Sequence, residues 1–135
     1  MPDTDPLHKQ DFEALSEFRY QLRRFLRFSE EAVQAHGVTP QQYLLMLHTQ
    51  GFAERHWATV GELAERLQMV PHGAVALVKR CQAQGLVQRQ RGELDRREVQ
   101  VSLTEKGWAV LAKLAAIHRE ELKTSGNRLR LPFSG

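Results

Sequence analysis

The sequence of 135 residues holds one cysteine, Cys81, so no internal disulfide can staple it. Its longest unbroken apolar run, YLLML at 43–47, is far short of the roughly 20 residues that span a bilayer. Residues 1–10 contain no apolar stretch of a secretory leader, which with the lone thiol points to a reducing cytoplasm and away from a membrane. A glycine-rich phosphate loop, a nucleophile elbow and a paired-carboxylate signature are all missing, so an enzyme is not expected. Six histidines, at 8, 36, 48, 56, 72 and 118, never recur at the three- or four-residue spacing that places two ligands on one helical turn. Neither a metal nor another cofactor is expected. Excess charge is scarce too: 19 basic against 16 acidic residues leave a net +3, too little to prove a polyanion partner unless the charge is concentrated.

What is present is helical periodicity. Between 12 and 35 there is neither Gly nor Pro, and Leu15, Phe18, Leu22, Phe25, Ser29 and Val33 recur three or four apart, which predicts one long amphipathic helix. Arg19, Arg23, Arg24 and Arg27 lie on its polar side and read as a solvated face. Thr39-Pro40-Gln41-Gln42 opens a second helix to about Gln50, and Thr59-Val60-Gly61-Glu62 opens a third over about 61–67; each places a hydroxyl three residues before Gln or Glu. Pro71 begins a fourth, with Ala74, Leu77, Val78 and Cys81 as its buried stripe and Gly85 as its stop. The period then changes: 86–90 reads as a strand, 91–97 as a polar turn, and Val99, Val101 and Leu103 alternate with Gln100 and Ser102. Thr104 caps a last helix to about Lys123, with Trp108, Leu111, Ala115 and Leu122 in one stripe beside Val110, Leu114 and Ile117. Residues 124–135 read as an irregular, flexible tail.

The fold expected is mainly α with a two-stranded β-hairpin. Helix, turn, helix and then a charged hairpin is the layout of a winged helix, in which the second helix enters a major groove while the hairpin flanks it. Lys79, Arg80, Arg89, Arg91, Arg96 and Arg97 face only Glu93 and Asp95 within 79–97, a local excess of four positive charges that exceeds the whole chain's. Phosphate binding needs such concentration, because each neutralised phosphate releases counterions.

Residues 63–107 resemble the MarR (multiple-antibiotic-resistance regulator) family of bacterial transcription regulators. The specific part is Asp95-Arg96-Arg97 followed by Val99, Val101, Leu103, Thr104 and Gly107, similar to that family's wing running into its next helix; Thr39-Pro40-Gln41-Gln42-Tyr43 is similar to its second helix start. The resemblance spans about 12–122. It implies a single winged-helix domain: a DNA-binding lobe at 38–104, with recognition helix 71–84 and wing 86–103, between long dimerisation helices at 10–36 and 105–123. It further implies a homodimer on a pseudo-palindromic operator in double-stranded DNA, acting as a repressor. Leu15, Phe18, Leu22, Phe25, Leu111, Leu114 and Ile117 would then serve dimerisation. Arg97 would reach the minor groove, with Asp95 holding the wing; a guanidinium suits the negative potential of a narrow minor groove.

The expected DNA contacts are His72, Gly73, Val75, Ala76 and Lys79 on the helix and Arg89, Arg91, Asp95, Arg96 and Arg97 on the wing. The helix set is lean. His72 and Lys79 alone donate side-chain hydrogen bonds, while Val75 and Ala76 offer contact with thymine methyl groups. That leanness motivates an alternative, a winged helix used for protein contacts or as an antagonist with little DNA readout. Phe25, Tyr43, His48, Trp57 and Trp108 would line a cleft for a small aromatic or phenolic effector, or else form ordinary core, as aromatic residues at helical spacing usually do. Cys81, on a buried stripe, reads as an inert core thiol and not a redox sensor.

Overall fold

A computed structural model describes residues 5–125 and 129–133. Among these residues five helices, α1 (Lys9–Ala35), α2 (Pro40–Gln50), α3 (Val60–Leu67), α4 (Pro71–Ala83) and α5 (Glu105–Ser125), surround three short strands, β1 (Trp57–Thr59), β2 (Val87–Arg91) and β3 (Val99–Leu103). Three of the helix starts have the same local cause. The Thr39 hydroxyl accepts the Gln42 N–H at 3.1 Å while the Gln42 side chain accepts the Thr39 N–H at 2.9 Å; Thr59 and Glu62 repeat the exchange at 3.2 and 2.9 Å. At α5 the Thr104 hydroxyl accepts the Gly107 N–H at 3.0 Å. These bonds satisfy donors that the first helical turn leaves unpaired.

The α3–α4 turn closes through Gln68, whose left-handed backbone (φ +52°) lets the Met69 N–H reach the Ala64 carbonyl at 2.9 Å. The core is continuous from Val33 of α1 through Leu45 and Met46 to Leu63, Leu77, Val78 and Cys81, Val101 and Leu114. Burial pushes the Cys81 thiol up to about 11, against the weaker opposing pull of Arg80. A thiol so rarely ionised is a poor nucleophile.

Several expectations are corrected. The sheet has three strands, in the order β1-β3-β2 and all antiparallel, because Trp57, Ala58 and Thr59 pair with Ser102, Val101 and Gln100. Periodicity alone shows only the β2–β3 hairpin. α1 begins at Lys9, held by Asp11 accepting the His8 N–H at 2.8 Å, and α5 continues to Ser125, two residues into the expected tail. Residues 129–133 carry no helix or strand, and the rest of the tail, 126–128 and 134–135, lies outside the described residues. Within the single chain Trp108 and Leu122 are half exposed at the edges of their stripe, whereas Leu111 and Leu114 are 3% and 0% exposed. Arg91 belongs to β2 and not to the turn.

Candidate nucleic-acid interface

β2 begins in the core and leaves it. Its register sets Val87, Arg89 and Arg91 opposite Leu103, Val101 and Val99, so the face that is apolar at Val87 becomes cationic two residues on. This brings Arg89 toward α4. Val75 and Val78 of α4, Thr59, Val60 and Gly61 at the start of α3, and Arg89, Arg97, Glu98 and Val99 of the wing line one groove of about 330 Å³. An apolar floor between two guanidinium groups, flanked by a helix and a hairpin, has the shape and charge to seat a phosphodiester strand between a helix in one groove and a hairpin in the next.

On α4, His72, Ala76 and Lys79 are exposed or nearly so along one face, apart from Ala76's neighbours Val75 and Gly73, which are half buried, Val75 being turned into the groove. Arg80 shares the exposed side. On the wing, Arg89, Arg91, Asp95, Arg96 and Arg97 are all exposed. Asp95 Oδ1 accepts both the Arg97 backbone N–H at 3.0 Å and its Nε–H at 3.3 Å, yet the Arg97 side chain stays 93% exposed. The carboxylate orients the guanidinium without hiding it. The structure thus brings Val75 of α4 and Arg89 and Arg97 of the wing to one groove. Thr59, Val60, Gly61 and Glu98 on the groove wall are not among the residues expected from sequence; only the capping box at Thr59 marks the place.

Of the five residues assigned to an effector cleft, Phe25 and Trp108 line different cavities. Phe25 lines one of about 200 Å³ with Gln21, Arg24, Phe28 and Leu122; Trp108 lines a separate groove of about 460 Å³ with Gln50 and His56. Tyr43 is buried and stacked on His118, ring centres 4.7 Å apart, with Phe25 and Phe28 edge-on at 6.0 and 5.9 Å. His118 Nδ1 lies 2.7 Å from the Leu114 carbonyl and Nε2 2.7 Å from the Ser29 hydroxyl. With Nδ1 donating to the carbonyl, Nε2 accepts from Ser29. A histidine therefore fills the aromatic junction of α1, α2 and α5. Two polar residues set on the apolar stripes of α1 and α5 were its signal. Trp57 lies elsewhere, under Arg55 at 4.4 Å, and burial with the nearby Arg66 charge holds His48 below the ordinary histidine range.

Among the described residues no cluster of three or more His, Cys, Asp or Glu could hold a metal, and no helix is long and apolar enough to cross a membrane.

Residues 36–98 match the MarR family model. No curated protein matches the chain. Among solved structures, the fold is similar to that of AbsC, a MarR family transcriptional regulator from Streptomyces coelicolor, with TM-score 0.77 at 22% identity over 96% of this chain and 86% of that one. A point mutant of MepR from S. aureus, bound to an oligodeoxyribonucleotide, superposes with TM-score 0.67 at 18% identity, covering 84% and 81%. CouR from Rhodococcus jostii RHA1, bound to p-coumaroyl-CoA, gives 0.65 at 22%, covering 75% and 69%.

Proposed function

We propose that this chain, whose residues 36–98 match the MarR family model, is a bacterial transcription regulator of that family that represses by binding duplex DNA. The observation that carries the reading is the groove in which Val75 and Val78 of α4 meet Arg89 and Arg97 of the wing. In this reading α4 lies in the major groove, with His72 and Lys79 donating to bases or phosphates and Ala76 against thymine methyls, while Arg97 enters the adjacent minor groove. Two copies joined through α1 and α5 would address a pseudo-palindrome. Support for pairing comes from Phe12, Leu15 and Leu26, large apolar side chains left exposed on α1. Relief by a small aromatic ligand belongs to the same proposal, and CouR offers a relative with an aromatic acyl ligand. The half-exposed Trp108 in its groove with Gln50 and His56 is the aromatic surface on offer here.

The test is selection of bound duplexes from a random pool, with and without phenolic compounds, followed by salt titration on the selected duplex. Binding that falls steeply with salt is expected. Arg97→Ala should weaken it by about tenfold or more, the loss of a charge-assisted contact. His72→Ala should relax sequence preference, and Arg23→Ala should change little. A dimer that ignores duplex DNA even in dilute buffer would instead make the lobe a protein-contact module.

A further inference from the structure

The Arg91 side chain turns back on its own hairpin. It ends β2 opposite Val99, and its Nη1 donates to the Arg96 carbonyl at 2.8 Å, bridging the base of the wing turn to its tip. On the other side of the same peptide, the Arg97 N–H donates to Asp95 Oδ1 at 3.0 Å. The planar unit joining Arg96 to Arg97 is therefore gripped at both its oxygen and its nitrogen. Fixing that plane fixes the directions in which the two flanking side chains leave the backbone.

The rest of the turn agrees. Gly92 N–H donates to the Glu98 carbonyl at 2.9 Å and Glu98 N–H to the Asp95 carbonyl at 3.1 Å. A Cβ on Gly92 would sit 2.8 Å from the Asp95 oxygen, so the loop closes on itself with no room for a side chain there. Among the described residues, no hydrogen bond or ion pair engages the Arg96 guanidinium. Of the three arginines around the turn, one is committed to the hairpin, one is oriented by a carboxylate, and one is free.

We propose that Arg91 is a positioning residue of the wing: it braces the Arg96–Arg97 peptide so that those two guanidinium groups are presented to nucleic acid, and it does not itself hold a phosphate. The assignment rests on the DNA-binding reading above and changes one of its members. A brace and a phosphate ligand differ in what salt does to them. Losing a phosphate ligand reduces the slope of log affinity against log salt by about one, whereas losing a brace lowers affinity and leaves the slope alone.

Three measurements decide it. In the free protein, ¹⁵N order parameters at Arg96, Arg97 and Glu98 should fall in Arg91→Ala, with the unfolding midpoint unchanged. On duplex DNA, the same variant should bind about fivefold more weakly, the worth of one exposed charged hydrogen bond, with the wild-type salt slope. Added to a variant that already carries both Arg96→Ala and Arg97→Ala, Arg91→Ala should cost almost nothing further, because a brace acts through what it braces. Unchanged wing order parameters would overturn the proposal, as would a slope reduced by about one with an additive loss when Arg91→Ala is added to the variant lacking both Arg96 and Arg97 side chains. If the wild type binds no duplex, the DNA-binding reading fails by itself and the order parameters still decide whether Arg91 braces the turn.

Discussion

At the scale of single residues, Gly107 is the least replaceable position that the structure identifies. A Cβ there would lie 1.9 Å from the Leu86 carbonyl oxygen, which is backbone and already bonded to the Thr104 N–H at 3.1 Å. The start of α5 and the residue before β2 touch main chain to main chain, so Gly107→Ala must push helix and sheet apart. We expect a loss of more than about 3 kcal/mol, in the range of severe overpacking, measured as the shift in urea unfolding free energy. A change under about 1 kcal/mol would mean that the contact yields freely. Ser29→Ala tests a different cost. It leaves His118 Nε2 without its hydroxyl partner in a junction of three rings, and about 1–2 kcal/mol should be lost for an unsatisfied buried acceptor by the same assay. The sequence placed Ser29 on the α1 stripe, but only the packed α5 showed what it meets. A polar residue on an apolar stripe marks a partner without naming it.

At the scale of elements, β1 and α3 are tied by a stack that a linear reading could not assemble. Arg55 lies 4.4 Å from the ring centres of both Phe52 and Trp57, Arg66 covers Phe52 at 4.3 Å, and Arg55 grips Glu62 with both terminal nitrogens, Nη1 at 2.9 Å. The Arg55 guanidinium, aided by the Thr59 N–H and hydroxyl, holds the Glu62 carboxyl down at about 2, below its ordinary 4.5. A depressed acid stabilises the fold above its unfolded value and loses that contribution as pH falls through the folded one. Wild type should therefore exceed Glu62→Gln by about 1 kcal/mol at neutral pH, after discounting for a side chain one-third exposed. The advantage should shrink below pH 4.5 and vanish near pH 2. A difference independent of pH would assign the effect to packing alone. The helices were legible because capping boxes, Pro and periodicity are local signals. β1 was not, since three residues show no alternation and gain their pairing only from β3. The turn of Arg89 toward α4 likewise follows from register, which is a property of two strands.

At the scale of the whole molecule, the seven residues that the sequence assigned to pairing are divided by their environment. Leu111 and Leu114 are sealed inside one chain; Phe18, Leu22, Phe25 and Ile117 are half buried; Leu15 is 43% exposed, in line with Phe12 and Leu26 on the outer side of α1. Periodicity shows that a helix has an apolar face and not how wide it is; α1 carries one seam toward α5 and another toward solvent. Large apolar side chains aligned on a solvent-facing seam are uncommon in monomers, and a second copy is the occupant that the proposed function requires. Leu15→Glu puts a charge on that seam without entering the core, so it should leave the unfolding free energy of each subunit's lobe nearly intact while splitting the dimer. Sedimentation should show the monomer mass. On a selected palindromic duplex, affinity should fall about a hundredfold or more, because the second lobe no longer binds as a tethered partner, while affinity for a single half-site stays within about twofold. A Leu15→Glu protein that remains dimeric would place the interface off the α1 seam, and one that becomes monomeric with full affinity for the palindrome would remove pairing from the mechanism.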